Sequence, residues 1–185
     1  MDWRCVIQIR TPSVADGAAI WELVRGAGSL DVNSPYAYLL FSEYFASSCA
    51  VAYDGEVLAG AIVGFRPPQR PEALFVWQIG VEPSYRRQNL GRRMLAWLLE
   101  ANDGFGARYL EATVTPDNEP SLRLFRGFAH QVGSECMETT LFPSDLFPRC
   151  VERHEPEWLL RIGPVASGAL RQLIAERPMA GVRTQ

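Results

Sequence analysis

Val81-Glu-Pro-Ser-Tyr-Arg-Arg-Gln-Asn-Leu-Gly91 is the stretch on which the fold turns. Before it runs an apolar segment, Leu74 to Val81, that reads as a strand stopped by Pro83. After it comes Arg92-Arg-Met-Leu-Ala-Trp-Leu-Leu-Glu100, with Met94, Leu95, Leu98 and Leu99 at helical spacing. Strand, short loop and helix N-terminus in that order make an anion site. The first-turn N–H groups lack partners, the helix dipole adds about half a positive charge, and Gly91 lets the backbone approach a ligand. Arg86, Arg87, Arg92 and Arg93 add charge in the same place. The stretch predicts a pyrophosphate pocket. An ordinary strand-to-helix connection with solvated arginines is the plain alternative.

The spacing excludes the commoner phosphate loops. No Gly-x-x-x-x-Gly-Lys-Ser/Thr occurs, and no Gly-x-Gly-x-x-Gly follows the first strand. The 185 residues suit one domain with a sizeable core, here taken as 1–165 with a tail over 166–185. A net charge of −3 without a basic run argues against nucleic acid. No segment has the length or apolarity of a membrane span or signal peptide. Cys5, Cys49, Cys136 and Cys150 lack metal or redox spacing. They read as reduced thiols of a cytoplasmic protein, and no metal is expected.

Working outward, Val6–Arg10 reads as a strand, and Ser13 as the cap of a helix to about Arg25 bearing Val14, Ala18, Trp21 and Val24 on one face. Ser34-Pro35 starts a second helix to about Phe45. Cys49–Tyr53 and Val57–Phe65 form a hairpin through Asp54-Gly55. Downstream come a strand over 108–114, a helix over 118–126 closed by Gly127, and strands within 129–141 and over 157–162. A short helix fits the tail.

The pattern Val-x-Pro-x-x-Arg-x-x-Asn-x-Gly resembles the acetyl-CoA loop of the GNAT N-acetyltransferases, Arg/Gln-x-x-Gly-x-Gly/Ala. Asn89 stands where the first glycine is expected, and asparagine is the side chain that best tolerates left-handed backbone. The element order β-α-α-β-β-β-α-β-α-β-β is also that of the GNAT fold, a mixed α/β (α+β) single domain. The resemblance implies acetyl-CoA as cosubstrate, held by Arg86, Arg87, Gln88, Asn89, Leu90, Gly91 and Arg92. It implies backbone contacts from Ile79 and Val81, where the fourth and fifth strands splay, and contacts from Asn118, Ser121 and Phe125 on the other side. Asn118 fits a plain helix cap equally well. Phe125 occupies the position of a tyrosine that in many members protonates the departing thiolate.

Five further segments resemble the L-2,4-diaminobutyrate acetyltransferases of ectoine synthesis. They are Leu30–Leu39, Leu74–Gln78, Thr113–Asn118, Leu141–Pro148 and His154–Glu157. That resemblance implies acetyl transfer to the γ-amine, and homodimers are frequent among such relatives. The acceptor carries two ammonium groups, so acidic and aromatic partners are expected. The substrate candidates are Asp31, Tyr36, Tyr38, Trp77 and Glu157, and the catalytic candidates are Glu157, His154, Asp31 and Tyr36. Each has a bland counterpart. Trp77 suits a core, Asp31 a loop and His154-Glu155 a solvated turn. A polyamine, an aminoglycoside, a protein N-terminus or a non-catalytic acyl-CoA module remain open alternatives.

Overall fold

The computed structural model describes residues 7–28, 30–148 and 154–175. Its strands are β1 (Gln8–Arg10), β2 (Ala50–Asp54), β3 (Val57–Phe65), β4 (Ala73–Val81), β5 (Tyr109–Val114), β6 (Cys136–Phe142) and β7 (Glu157–Ile162). They form one sheet in the order β1-β2-β3-β4-β5-β7-β6. Only β4 and β5 run parallel, because the connection between them crosses over through a helix. The helices are α1 (Gly17–Ala27), α2 (Pro35–Tyr44), α3 (Leu90–Ala101), α4 (Glu119–Gln131) and α5 (Ser167–Ala175). This is the expected order with α5 added. Cys5, Cys150 and Val6 lie outside the described residues.

Each face of the sheet has its own core. Ile20, Leu23, Val24 and the fully buried Tyr38 of α1 and α2 pack on Val51, Ala61 and Val63. Met94, Leu95, Leu98 and Leu99 of α3 join Phe128, Leu110, Leu160 and Ile162 on the other face. Burying each such side chain is worth about 1.5–3 kcal/mol, so the α3 stripe alone commits the helix to the sheet. In α1 the buried set is Gly17, Ile20, Leu23 and Val24, not the expected Val14 and Ala18. The first turn is a separate 3₁₀ turn over 14–16, which resets the phase, and Gly17 is pressed against Leu39. Asp16 closes that turn. It accepts from Ser13 N–H at 2.7 Å, from Tyr53 OH at 2.8 Å and from both ends of the Arg10 guanidinium. The Arg10 hydrogen bonds hold its carboxyl well below the usual carboxylate range.

A bulge in β4 shapes the functional face. Gln78 pairs with Val63 and Val76 with Gly64, which leaves Trp77 as an extra residue. Side chains that should alternate are therefore re-aimed. Leu74 and Val76 enter the α3 core, and so do Ile79 and Val81, while Gln78 turns to the α2 side. Pairing with β5 ends at Val76–Ala112, one residue before the bulge. Beyond it, Trp77–Val81 and Thr113–Val114 are joined by no ladder. That is the splay between fourth and fifth strands.

Two expected boundaries move. α4 does not end at Gly127 but continues to Gln131, so the next strand starts at Cys136 rather than near Ala129. α5 is packed into the larger core through Leu170 and Leu173. Among the described residues no helix is long and apolar enough to cross a membrane, and no cluster of His, Cys, Asp or Glu could hold a metal.

Candidate active site

A cleft of about 930 Å³ opens over the gap in the sheet, between the end of α1, β4, the start of α3 and α4. Ile79 and Val81 form its floor. Arg86, Arg87, Asn89, Leu90, Gly91 and Arg92 form the end at which α3 begins. Asn89 is left-handed, with φ 62°, as the departure from glycine required, and Arg87 is left-handed too, with φ 61°. These two reversals fold the loop tightly enough to present the first-turn N–H groups of α3 to the cleft. A Cβ on Gly91 would come 3.1 Å from Leu124 Cδ1, so glycine also sets how closely α4 approaches. Tyr85, on the same wall, donates to Asp54 Oδ2 at 2.8 Å and ties the loop to the β2–β3 hairpin.

Two residues of the expected loop behave differently. Gln88 donates to the Ser84 carbonyl at 3.0 Å and shapes the loop without lining the cleft. Arg93 is buried on the far side of α3, beside Ile7, Ile9 and Trp97. On the opposite wall, Asn118 and Ser121 face the cleft, and Asn118 Oδ1 also caps α4 by accepting from Ser121 N–H at 3.2 Å. Phe125 does not reach the cleft. It is 2% exposed in the larger core, because its place on α4 is turned toward the sheet.

Gly127 explains why α4 runs on. The Arg92 guanidinium crosses directly over its Cα, and Arg92 Nη1 then donates to Gln131 at 3.2 Å. A methyl group there would collide with that guanidinium. Gly127→Ala should favour the helix by up to about 1 kcal/mol yet displace Arg92. The expected result is a KM for acetyl-CoA raised severalfold at unchanged kcat, read by steady-state kinetics.

None of the acidic and aromatic candidates, Asp31, Tyr36, Tyr38, Trp77, His154 and Glu157, lines this cleft. Trp77, carried outward by the bulge, stacks on Phe41 with ring centroids 5.1 Å apart. Glu157 begins β7, half-buried, and burial pushes its carboxyl above the usual range. The charges of Asp31 and Asp117 push the same way, while His154 and a hydrogen bond from Thr113 oppose them. Asp31, Asp117, Thr113, His154 and Glu157 therefore share one neighbourhood. His154 Nδ1 lies 2.6 Å from the Glu155 carbonyl, which can only accept, so Nδ1 carries a proton. Its ring stacks on Phe147 at 3.8 Å, and Nε2 faces Glu157 Oε1 at 3.9 Å. Tyr36 is 69% exposed at the start of α2. Tyr38 cannot touch a ligand. It is completely buried and donates to Gln78 Oε1 at 3.0 Å.

Several residues here escaped the sequence reading. Arg123 and Gln131 line the cleft from α4; Arg123 already falls within the expected helix, and helical continuation past Gly127 would have found Gln131. Thr113 and Asp117 sit inside a segment already singled out, but their approach to Glu157 depends on β5 pairing with β7.

Residues 18–129 match the acetyltransferase (GNAT) family. The L-2,4-diaminobutyric acid acetyltransferase of Halalkalibacterium halodurans is 43% identical over 159 residues, 86% of this chain and 82% of that protein. The same-named protein of Streptomyces coelicolor is 42% identical over 165 residues, 88% and 95% of the two chains. Among solved structures, diaminobutyrate acetyltransferase EctA from Paenibacillus lautus, in complex with L-2,4-diaminobutyric acid and coenzyme A, superposes with a TM-score of 0.79. It is 41% identical over 85% of this chain and 95% of that one. With the splayed strands, the glycine-started helix and these likenesses together, the chain belongs to the GNAT family of acetyltransferases and, within it, to the family of the L-2,4-diaminobutyric acid acetyltransferases.

Proposed function

We propose that this protein transfers the acetyl group of acetyl-CoA to the γ-amine of L-2,4-diaminobutyrate, the acetylation step of ectoine synthesis in the cytoplasm. The observation that carries this reading is the arginine-lined cleft at the start of α3, together with the half-buried Glu157 that faces His154 at the start of β7.

Each part of the site then has a task. The start of α3 with Arg86, Arg87 and Arg92 holds the diphosphate. Ile79 and Val81, which pair with β3 but lie beyond the ladder to β5, offer backbone groups to the pantetheine arm and an N–H to the thioester oxygen. Asp31 and the Trp77 ring seat the diamino acid, and Tyr36 closes the rim.

Freeing an amine of pKa near 10.4 at pH 7 costs about 4.6 kcal/mol, so a proton acceptor is needed. Glu157 takes the γ-ammonium proton. His154, holding Nδ1–H on Glu155, has Nε2 aimed at Glu157 and passes the proton to solvent. The freed amine attacks the thioester carbon, the C–N bond forms as the C–S bond breaks, and the nitrogen's second proton goes to the departing thiolate, so that the products are the neutral amide and coenzyme A as thiol. Because the α-amine is the less basic of the two, selectivity for the γ-amine comes from positioning. Asp31 and Asp117 flanking Glu157 supply that asymmetry.

The test is thiol release from acetyl-CoA with L-2,4-diaminobutyrate, ornithine, lysine and spermidine, with NMR assignment of the acetylated nitrogen. Release strongest with diaminobutyrate, with acetyl on the γ-nitrogen, is expected. Preference for spermidine would transfer the reading to a polyamine. Tight CoA binding without release would make the chain a binding module.

The chain is also proposed to work as a homodimer joined through β6. That edge strand exposes Met137, Leu141 and Phe142, an apolar edge that an isolated chain would leave open to water. Light scattering should give about twice the 20.7 kDa chain mass, and a monomer at micromolar concentration would sink the idea.

A further inference from the structure

The Asp31 loop is held by its backbone, and among the described residues its carboxylate takes no hydrogen bond. Trp21 Nε1 donates to the Asn33 carbonyl at 3.1 Å. Gln78 Nε2 donates to the Asp31 carbonyl at 2.7 Å, shorter than the 3.3 Å contact from Asn33 Nδ2. Gln78 is only 6% exposed, and its Oε1 is occupied by the hydroxyl of the fully buried Tyr38. With one end of the amide fixed by Tyr38, the other end has one direction left in which to donate. Gln78 reaches this position only because the extra residue, Trp77, flips it from the α3 face to the α2 face.

We propose that Gln78 and Tyr38 form a buried relay that positions Asp31 and thereby sets affinity for the diamino acid acceptor. The bulge thus serves both ends of the site. It opens the gap below Trp77, and it sends Gln78 across the sheet to fix the acceptor wall. Gln78 and Tyr38 are positioning residues, since neither is exposed enough to touch substrate. This inference rests on the acetyl-transfer reading above.

The test uses Gln78→Met, of similar volume but without a donor, and Tyr38→Phe, which removes one oxygen. Gln78→Met should raise KM for L-2,4-diaminobutyrate about tenfold, and Tyr38→Phe about threefold, with KM for acetyl-CoA and the Kd for coenzyme A unchanged. The double variant should be no worse than Gln78→Met alone, because both changes cut one relay. A KM for diaminobutyrate that stays at the wild-type value, or that rises in step with the KM for acetyl-CoA, would overturn the relay. If Gln78→Met does not fold, Tyr38→Phe decides by the same split. Wild-type protein that acetylates no diaminobutyrate would instead refute the acetyl-transfer reading.

Discussion

Glu157→Gln should lower kcat for diaminobutyrate acetylation about 10²- to 10⁴-fold, the usual range for loss of a positioned general base. The substitution keeps the volume of the side chain and removes its basicity. KM for acetyl-CoA should hold, because the diphosphate end of the cleft is formed by the α3 loop and α4. The pH profile is the sharper readout. A base must be ionised to act, and burial raises the Glu157 carboxyl above its ordinary value. The wild-type acid limb of kcat/KM should therefore lie above the normal carboxylate pKa of about 4.3. In Glu157→Gln that limb should vanish. The residual rate should climb about tenfold per pH unit with the free-amine fraction, until the amine itself titrates. A variant with near-normal kcat and an unshifted acid limb would remove Glu157 from the reaction.

Glu111→Ala should cost about 2–4 kcal/mol of stability without changing kcat at low temperature. Glu111 is fully buried on β5 and is satisfied entirely by arginines. Arg70 Nε donates to both its oxygens at 3.1 Å, and Arg161 donates to Oε1 while also bonding Glu72 at 2.9 Å and lying over the Tyr109 ring. Removing the carboxylate leaves two guanidinium groups packed together over a cavity. The loss stays below that of a wholly buried pair because Arg70 is 44% and Arg161 24% exposed and both can turn toward water. For a chain of this size the expected fall in melting temperature is about 4–16 °C, measurable by calorimetry. Glu111→Gln should recover part of it by keeping hydrogen bonds to the arginines. A melting temperature within a degree of wild type would show that the cluster contributes nothing.

Much of this molecule is legible in the sequence because its signals are local. Pro83, Asn89 and Gly91 mark the loop, Asp54-Gly55 the hairpin, and Ser34-Pro35 the start of α2. Most of the errors depend on distant partners. Gly127 reads as a helix terminator until Arg92, thirty-five residues earlier, is seen to need its missing side chain. Tyr38 looks like a pocket tyrosine, and its partner Gln78 lies forty residues away on another element. Motif position points Phe125 at the cofactor, whereas the direction it faces is set by how α4 lies on the sheet. The bulge at Trp77 is a mismatch between two strands, and no single strand records it.

The register of β4 with β5 covers four residue pairs, Ala73–Tyr109 to Val76–Ala112. Among the described residues that short seam is the only ladder joining the β1–β4 half of the sheet to the β5–β7 half. A cosubstrate lying along Ile79 and Val81 would lengthen the seam with rungs of its own. Occupancy and thermal endurance are then linked, and at a concentration one hundred times its dissociation constant such a ligand adds about 2.7 kcal/mol to the folded state. A protein joined this way is most fragile when starved. Its durability in a cell would follow the acetyl-CoA supply, with idle copies the first to open and be cleared.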